Sequence, residues 1–247
     1  MKHWWNHIGI RWLLVTLLFF VITSPIVVLF GPFANLKQAV VGAIVRSRHP
    51  HYITWLFDQQ ELDRILGRVQ AVPEQDIFNF KVREDKTLKL QKIESDRFVG
   101  YLLEIPNPKR IQVATAADIN EKGDTTSNIA RNNDAVAAIN GGGFYDPNGT
   151  GTGRLPYGFI LHDGKYLLGE KVDDDEEVDF IGFSDSGNLI AGTYNKAELR
   201  RLGVIEGITF GPPLVVNGQK TITHGDGGWG IGPRTAIGQR RDGTVLF

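Results

Sequence analysis

Ala137-Ala138-Ile139-Asn140-Gly141-Gly142-Gly143-Phe144-Tyr145-Asp146 is the stretch on which the reading of this chain turns. An apolar run of strand type, Ala135 to Ile139, leads into an Asn, three consecutive glycines, two aromatics and a carboxylate. A glycine inside a regular element costs about 1 kcal/mol relative to alanine. Such a run is kept where the backbone needs positive φ, or where something must approach bare amide groups. Two readings follow. The run is a tight turn after a buried strand, or it is a glycine-lined floor whose N–H groups face an anionic or sugar ligand, with Asn140 and Asp146 as polar handles.

Further along the chain, the loop Pro147-Asn148-Gly149-Thr150-Gly151-Thr152-Gly153-Arg154 is too rich in glycine for a regular element. Gly158–His162 and Lys165–Leu168 flank Asp163-Gly164, a hairpin signal, and Val178–Phe183 and Asn188–Gly192 flank Asp185-Ser186-Gly187 in the same way. Asp173 to Glu177 reads as a solvated acidic loop. Asn195-Lys196-Ala197-Glu198 caps a short helix running to Leu202. Two more glycine loops follow, 211–218 and 225–232, and the chain closes on Asp242-Gly243-Thr244-Val245-Leu246-Phe247. A hairpin turn followed by an opening strand is an odd place for a domain to end, so a C-terminal truncation is expected. Upstream, Phe98–Ile105 and Ile111–Ala116 are strand candidates around Pro106-Asn107-Pro108, and Thr126–Asn132 reads as a short capped helix.

Trp12 to Phe30 carries no charge. At 1.5 Å per residue it reaches roughly 28 Å, close to the ~30 Å hydrocarbon core of a bilayer. Lys2 and Arg11 precede it, and no Ala-x-Ala pattern follows, so an uncleaved anchor is expected in preference to a cleaved signal peptide. Beyond it, Asp58-Gln59-Gln60-Glu61 has capping-box spacing ahead of Leu62, Ile65, Leu66 and Val69, one apolar helical face. That helix is either a stalk near the membrane or is packed on the main domain. Ala71 to Asp76 reads as a boundary. The expected organisation is a cytoplasmic flank over 1–11, a transmembrane signal anchor over 12–30, a helical juxtamembrane linker over 31–76, and an extracytoplasmic domain over 77–247. Many short strands with few short helices make that domain mixed α/β and strand-rich.

With 247 residues the chain can bury a substantial core. Its net charge of −1, from mixed signs, excludes a global field that would draw nucleic acid. Having no cysteine removes disulfides, thiolate metal sites and thiol nucleophiles together. There is no phosphate-binding Gly-x-x-x-x-Gly-Lys loop and no Gly-x-Ser-x-Gly elbow, and the six histidines lack metal-pair spacing. Asp146-Pro147-Asn148-Gly149-Thr150-Gly151 opens like a calcium loop, but its twelfth position is Tyr157, where a bidentate Glu is required. No metal and no cofactor are expected. What remains is a set of glycine loops carrying groups suited to sugars and phosphates: Asn140, Asp146, Asn217, His224, Asp226 and Arg234. Arg234 offers a planar fork for phosphate oxygens, unless it serves a structural salt bridge.

Three stretches in this order, Asn140-Gly141-Gly142-Gly143-Phe144-Tyr145-Asp146, Phe210-Gly211-Pro212-Pro213-Leu214-Val215-Val216-Asn217-Gly218 and Pro233-Arg234-Thr235-Ala236-Ile237-Gly238, resemble the phosphodiester glycosidase family. That family includes an animal enzyme that uncovers mannose-6-phosphate and bacterial members labelled exopolysaccharide-biosynthesis proteins. The resemblance covers roughly residues 95 to 247. It implies an α/β domain that hydrolyses a sugar-1-phosphodiester, such as an N-acetylglucosamine-1-phosphodiester, releasing the sugar and leaving a phosphomonoester. Two departures stand out. The first motif has one glycine more than the commoner Asn-Gly-Gly-Phe-Phe, and a later Asp-Gly-Gly-Ser-type motif is absent from this sequence.

On that resemblance the phosphate is expected on Arg234 with Thr235. Gly141, Gly142 and Gly143 would supply backbone donors, and Asn140 would hold a sugar hydroxyl or acetamido group. Gly211 and Asn217 join the substrate-binding set. Asp146 is the first choice for acid/base work, then Asp226, then His224. The expected partners are a phosphorylated glycan or sugar phosphodiester and, through the N-terminal helix, a membrane; nucleic acid is not expected. The competing class is a non-catalytic, membrane-anchored protein that binds or helps assemble an anionic glycan.

Overall fold

Asp-Gly and Asn-Gly pairs between apolar runs demand turns with positive φ, and that demand is met at Asp163 (φ 48°) with Gly164 (φ 70°), and at Asn217 (φ 51°) with Gly218 (φ 78°). The structure, a computed structural model, describes residues 2–45, 47, 49–69, 75–119, 121–145, 153, 155–168 and 172–247. The chain divides into two units, residues 1–72 with 220–232, and residues 73–219 with 233–247.

The first unit is helical. Its helix α1 (Lys2–Phe30) contains Gly9–Phe30, 22 residues of mean hydropathy 2.7, none of them fully buried, with Leu29 packed against the helical core. At 1.5 Å per residue that stretch reaches about 33 Å, enough to cross a bilayer. Its length, its composition and its place near the N-terminus are those that a membrane anchor or a signal sequence also has. Helices α2 (Ala34–Val45), α3 (His51–Thr54) and α4 (Gln59–Leu66) pack around Val41, Ile53, Phe57, Leu62 and Leu66. The capping signal before α4 is realised: Asp58 Oδ1 accepts from Glu61 N at 2.8 Å, and Gly67 (φ 73°) closes the C-terminus. Segment 220–232 lies against these helices. Val69 N donates to Thr221 O at 2.9 Å and Thr223 N to Gly67 O at 2.7 Å.

The second unit is built from two antiparallel sheets. Strands β1 (Lys89–Glu94) and β2 (Val99–Ile105) form a hairpin. After α5 (Thr126–Asn132) come β3 (Ile160–His162), β4 (Lys165–Leu168), β5 (Val178–Ser184), β6 (Leu189–Tyr194), α6 (Lys196–Arg201) and β7 (Val204–Thr209). A small hairpin, β8 (Val215–Val216) with β9 (Gln219–Lys220), precedes the closing strands β10 (Gly238–Gln239) and β11 (Val245–Leu246). The sheet orders are β1-β2-β11-β10 and β4-β3-β7-β5-β6. The fold is therefore mixed and strand-rich with short helices, as the patterning predicts.

Alternation along β5 assigns its two faces. Phe180 joins Phe159, Leu161, Ile190, Val204 and Leu199 of α6 in one core. Ile181 and Phe183 point the other way, to a core shared with Ile105 and Val245 of the second sheet. Gly182 and Gly207 pair across β5 and β7. A Cβ on Gly207 would lie 2.1 Å from Phe180 Cζ, so this glycine makes the slot for the Phe180 ring. α6 starts with a complete capping box: Asn195 accepts from Glu198 N, and Glu198 accepts from Asn195 N. Glu104 of β2 accepts from Arg240 at 2.8 Å, and this bond first, then the guanidinium charge, holds its carboxyl below the usual range.

Two strand expectations fail. Ala135–Ile139 and Ile111–Ala116 are irregular, extended backbone. A strand exists only when its N–H and C=O groups find a ladder, and among the described residues neither segment has one. Ala135–Ala138 is also exposed, with Val136 at 78%, so it is not the buried strand that its composition suggests. β7 is the converse case. Its sequence announced no strand, yet it is the middle strand of the five.

Candidate functional site

Within the second unit, on the face of the five-stranded sheet away from α6, lies a cavity of about 520 Å³. Ile160, Ile181, Glu206 and Ile208 line it from that sheet, and Leu103 and Ile105 from the other. The extended segments 111–116 and 135–143 and residues Thr235–Ile237 complete its wall. A largely apolar cavity of this size with a few convergent polar groups is the usual form of a small-molecule site.

The glycine run is seated against the end of β7. A Cβ on Gly141 would stand 2.8 Å from Ile208 Cδ1, one on Gly142 3.4 Å from Thr209 O, and one on Gly143 3.0 Å from Tyr157 Cδ2. None of the three has left-handed φ. Close approach, and not positive φ, is what these glycines provide. Beyond them the chain pairs with a later segment. Tyr157 N donates to Gly143 O at 3.0 Å, Tyr145 N donates to Leu155 O, and Phe144 bridges Pro156.

The first and third motifs meet. Thr235 Oγ1 donates to the Asn140 carbonyl at 3.3 Å, and Asn140, Gly141, Gly142, Gly143 and Thr235 all line the cavity. Arg234, the neighbour of Thr235, is exposed, and its Nη1 donates to the Pro233 carbonyl at 2.8 Å. Of the second motif only Phe210 lines the cavity. Gly211 begins a cis Gly211–Pro212 bond and packs on Asp179, where a Cβ would fall 2.7 Å from Oδ2. Asn217 is a turn residue whose Oδ1 accepts from Asp76 N at 2.9 Å.

His224 and Asp226 belong to the first unit. Asp226 Oδ1 accepts from Gly228 N at 2.8 Å, an Asx-type turn, and His224 Nδ1 lies 3.2 Å from Thr223 Oγ1. Close packing fixes this loop in its own unit: a Cβ on Gly225 would strike Gln38, and one on Gly228 would strike Leu66. Asp146, with 147–152 and Arg154, lies outside the described residues. Among the described residues no group of three or more His, Asp or Glu side chains is placed to hold a metal ion.

One acidic residue escaped the sequence reading. Glu206, 6% exposed, lines the cavity from β7. Its Oε2 accepts from Val113 N at 2.8 Å and lies 3.0 Å from His162 Nδ1, while Oε1 accepts from Asp163 N at 3.0 Å. These bonds tie extended segment 111–116 and the β3–β4 turn to the sheet. The available signal was a carboxylate inside the apolar stretch Val204–Thr209. Glu206→Ala strands two backbone donors and an imidazole, and is expected to cost about 2–4 kcal/mol in urea unfolding. A loss below about 0.5 kcal/mol would show that these bonds contribute nothing net.

The comparisons bear on the same segments. No curated protein matches this chain. The phosphodiester glycosidase family model matches residues 133–247, a span that holds all three glycine motifs and begins later than the resemblance suggests. Residues 133–247 are therefore similar to a phosphodiester glycosidase domain.

Proposed function

We propose that this protein is a membrane-anchored glycosidase that hydrolyses sugar-1-phosphodiester bonds in surface or exopolysaccharide metabolism. Residues 12–30 are the anchor, residues 1–11 are its cytoplasmic flank, and the chain beyond the anchor is extracytoplasmic. The observation that carries the reading is the junction of two motifs at one cavity, where Thr235 bonds to Asn140 beside the glycine run. Asn140, the glycine run and Thr235, the residue after Arg234, all border that one space. That combination suits a substrate with both hydroxyls and a phosphate.

The reaction breaks the bond between the anomeric carbon and the phosphate oxygen. Phosphate is already a good leaving group, so the demands are a clamp for its charge and stabilisation of the oxocarbenium-like sugar. Arg234 with Thr235 binds the phosphate, Asn140 holds a sugar substituent, and the amides of Gly141–Gly143 face the developing charge. Asp146, next after Tyr145, takes the proton of the attacking water, whose oxygen ends on the sugar. Asp226, then His224, stand behind Asp146 as candidates for this step. The full chain in detergent, incubated with uridine diphosphate N-acetylglucosamine and a panel of glycosyl-phosphate diesters, is expected to release free sugar from at least one of them. Binding of these diesters with no release would favour the non-catalytic glycan-binding reading.

A further inference from the structure

We propose that Tyr157 and Tyr145 form an aromatic platform that receives the sugar ring of the substrate beside the glycine run. The two rings meet edge-on, with centroids 6.1 Å apart and planes at 66°. Each is more than half exposed, Tyr145 at 54% and Tyr157 at 53%, and Tyr157 lines the cavity together with Gly141–Gly143. An aromatic side chain left this open forfeits the burial that ordinarily holds it in a core. Two such rings set into a corner at a cavity mouth present a π face and an edge to whatever enters.

The backbone fixes this corner. Phe144 faces Pro156 in an antiparallel bridge, with Gly143 opposite Tyr157 and Tyr145 opposite Leu155. Side chains alternate, so Tyr157 and Tyr145 share a face and Gly143 leaves the space between strand and ring empty. A methyl at Gly143 would stand 3.0 Å from Tyr157 Cδ2, tighter than a side chain tolerates without shifting. The third glycine of the run is thus the seat of the Tyr157 ring.

A pyranose ring is the ligand that fits. Its faces carry C–H groups of slight positive charge that match the electron-rich face of a tyrosine, while its hydroxyl rim seeks polar donors and acceptors such as the Asn140 side chain and the glycine amides. This arrangement puts the sugar on the aromatic side of the run and leaves the phosphate to the Arg234–Thr235 side. The inference rests on the proposed glycosidase reading for the identity of the ligand, and its test avoids the chemistry of that reading.

The probe is methyl N-acetyl-α-D-glucosaminide, which has no phosphate, observed by saturation-transfer NMR with the full chain in detergent. Saturation is expected on the ring C–H protons, reduced at least about fivefold in Tyr157→Ala and in Tyr145→Ala, and retained in Tyr157→Phe. No transfer to the wild-type chain, or transfer unchanged in both alanine variants, overturns the platform. Transfer that survives in Tyr157→Phe but is lost in Tyr157→Ala supports it, because the phenylalanine variant keeps the ring and controls for folding. Since the probe cannot be hydrolysed as a phosphodiester, a positive result stands even if the diester panel gives no turnover. A negative one leaves the hydrolysis reading untouched.

Discussion

Arg234→Ala is expected to lower kcat/KM for a sugar-1-phosphodiester by about 10²–10³-fold, with the far-ultraviolet circular dichroism unchanged. Arg234 is exposed and makes its short bond, 2.8 Å, to the carbonyl of its own neighbour Pro233. Its neighbour Thr235 lines the cavity, and the Thr235 hydroxyl reaches the Asn140 carbonyl. Substitutions of exposed side chains ordinarily change stability little, so the sheet is expected to stay folded. Arg234→Lys keeps the charge but loses the two-pronged geometry that matches phosphate oxygens, so it is expected to recover only part of the activity. Turnover equal to wild type in the alanine variant would take Arg234 out of phosphate binding.

Phe180→Ala is expected to destabilise the strand-rich unit by about 3–5 kcal/mol. The ring is 1% exposed, stacks on Phe159 at 5.5 Å between centroids, and fills a slot opened by Gly207. Glycine strand positions surrounding the ring leave little side-chain volume to collapse into the gap, so most of the hole would persist. The reading is the urea midpoint, with the dependence on denaturant unchanged. A shift worth less than about 1 kcal/mol would mean that this core is not packed as described. Because Phe180 faces α6 and the cavity lies on the other face, the loss falls on stability before it falls on the site.

Local turn and cap chemistry was legible from residues alone. Asp163-Gly164, Asp58 before Glu61 and the Asn195–Glu198 box each satisfy their own backbone within a few residues, and each appears where its sequence places it. The non-local steps were not legible. Ala135–Ile139 has strand composition but no ladder partner among the described residues, whereas β7, interrupted by Glu206 and Gly207, is paired on both sides. A charge and a glycine hide a strand from a search for apolar alternation, although Gly207 is there for Phe180 and Glu206 for the amides of Val113 and Asp163. The same limit applies to the site. Asn140 and Thr235 could be guessed as partners because both motifs suit one ligand. No local pattern reveals that segment 220–232, which carries His224 and Asp226, packs with α2 and α4 through contacts of Gly225 with Gln38 and Gly228 with Leu66.

Glycosidase action by this protein requires that the bond broken join the sugar to the phosphate oxygen. Hydrolysis of a sugar-1-phosphodiester by the full chain in water enriched in oxygen-18 tests it directly, with the products read by mass spectrometry. Glycosidase chemistry places the heavy oxygen on the anomeric carbon of the released sugar and none on the phosphomonoester. Heavy oxygen in the phosphate, with sugar-1-phosphate as a product, would mean cleavage at phosphorus and would contradict the account.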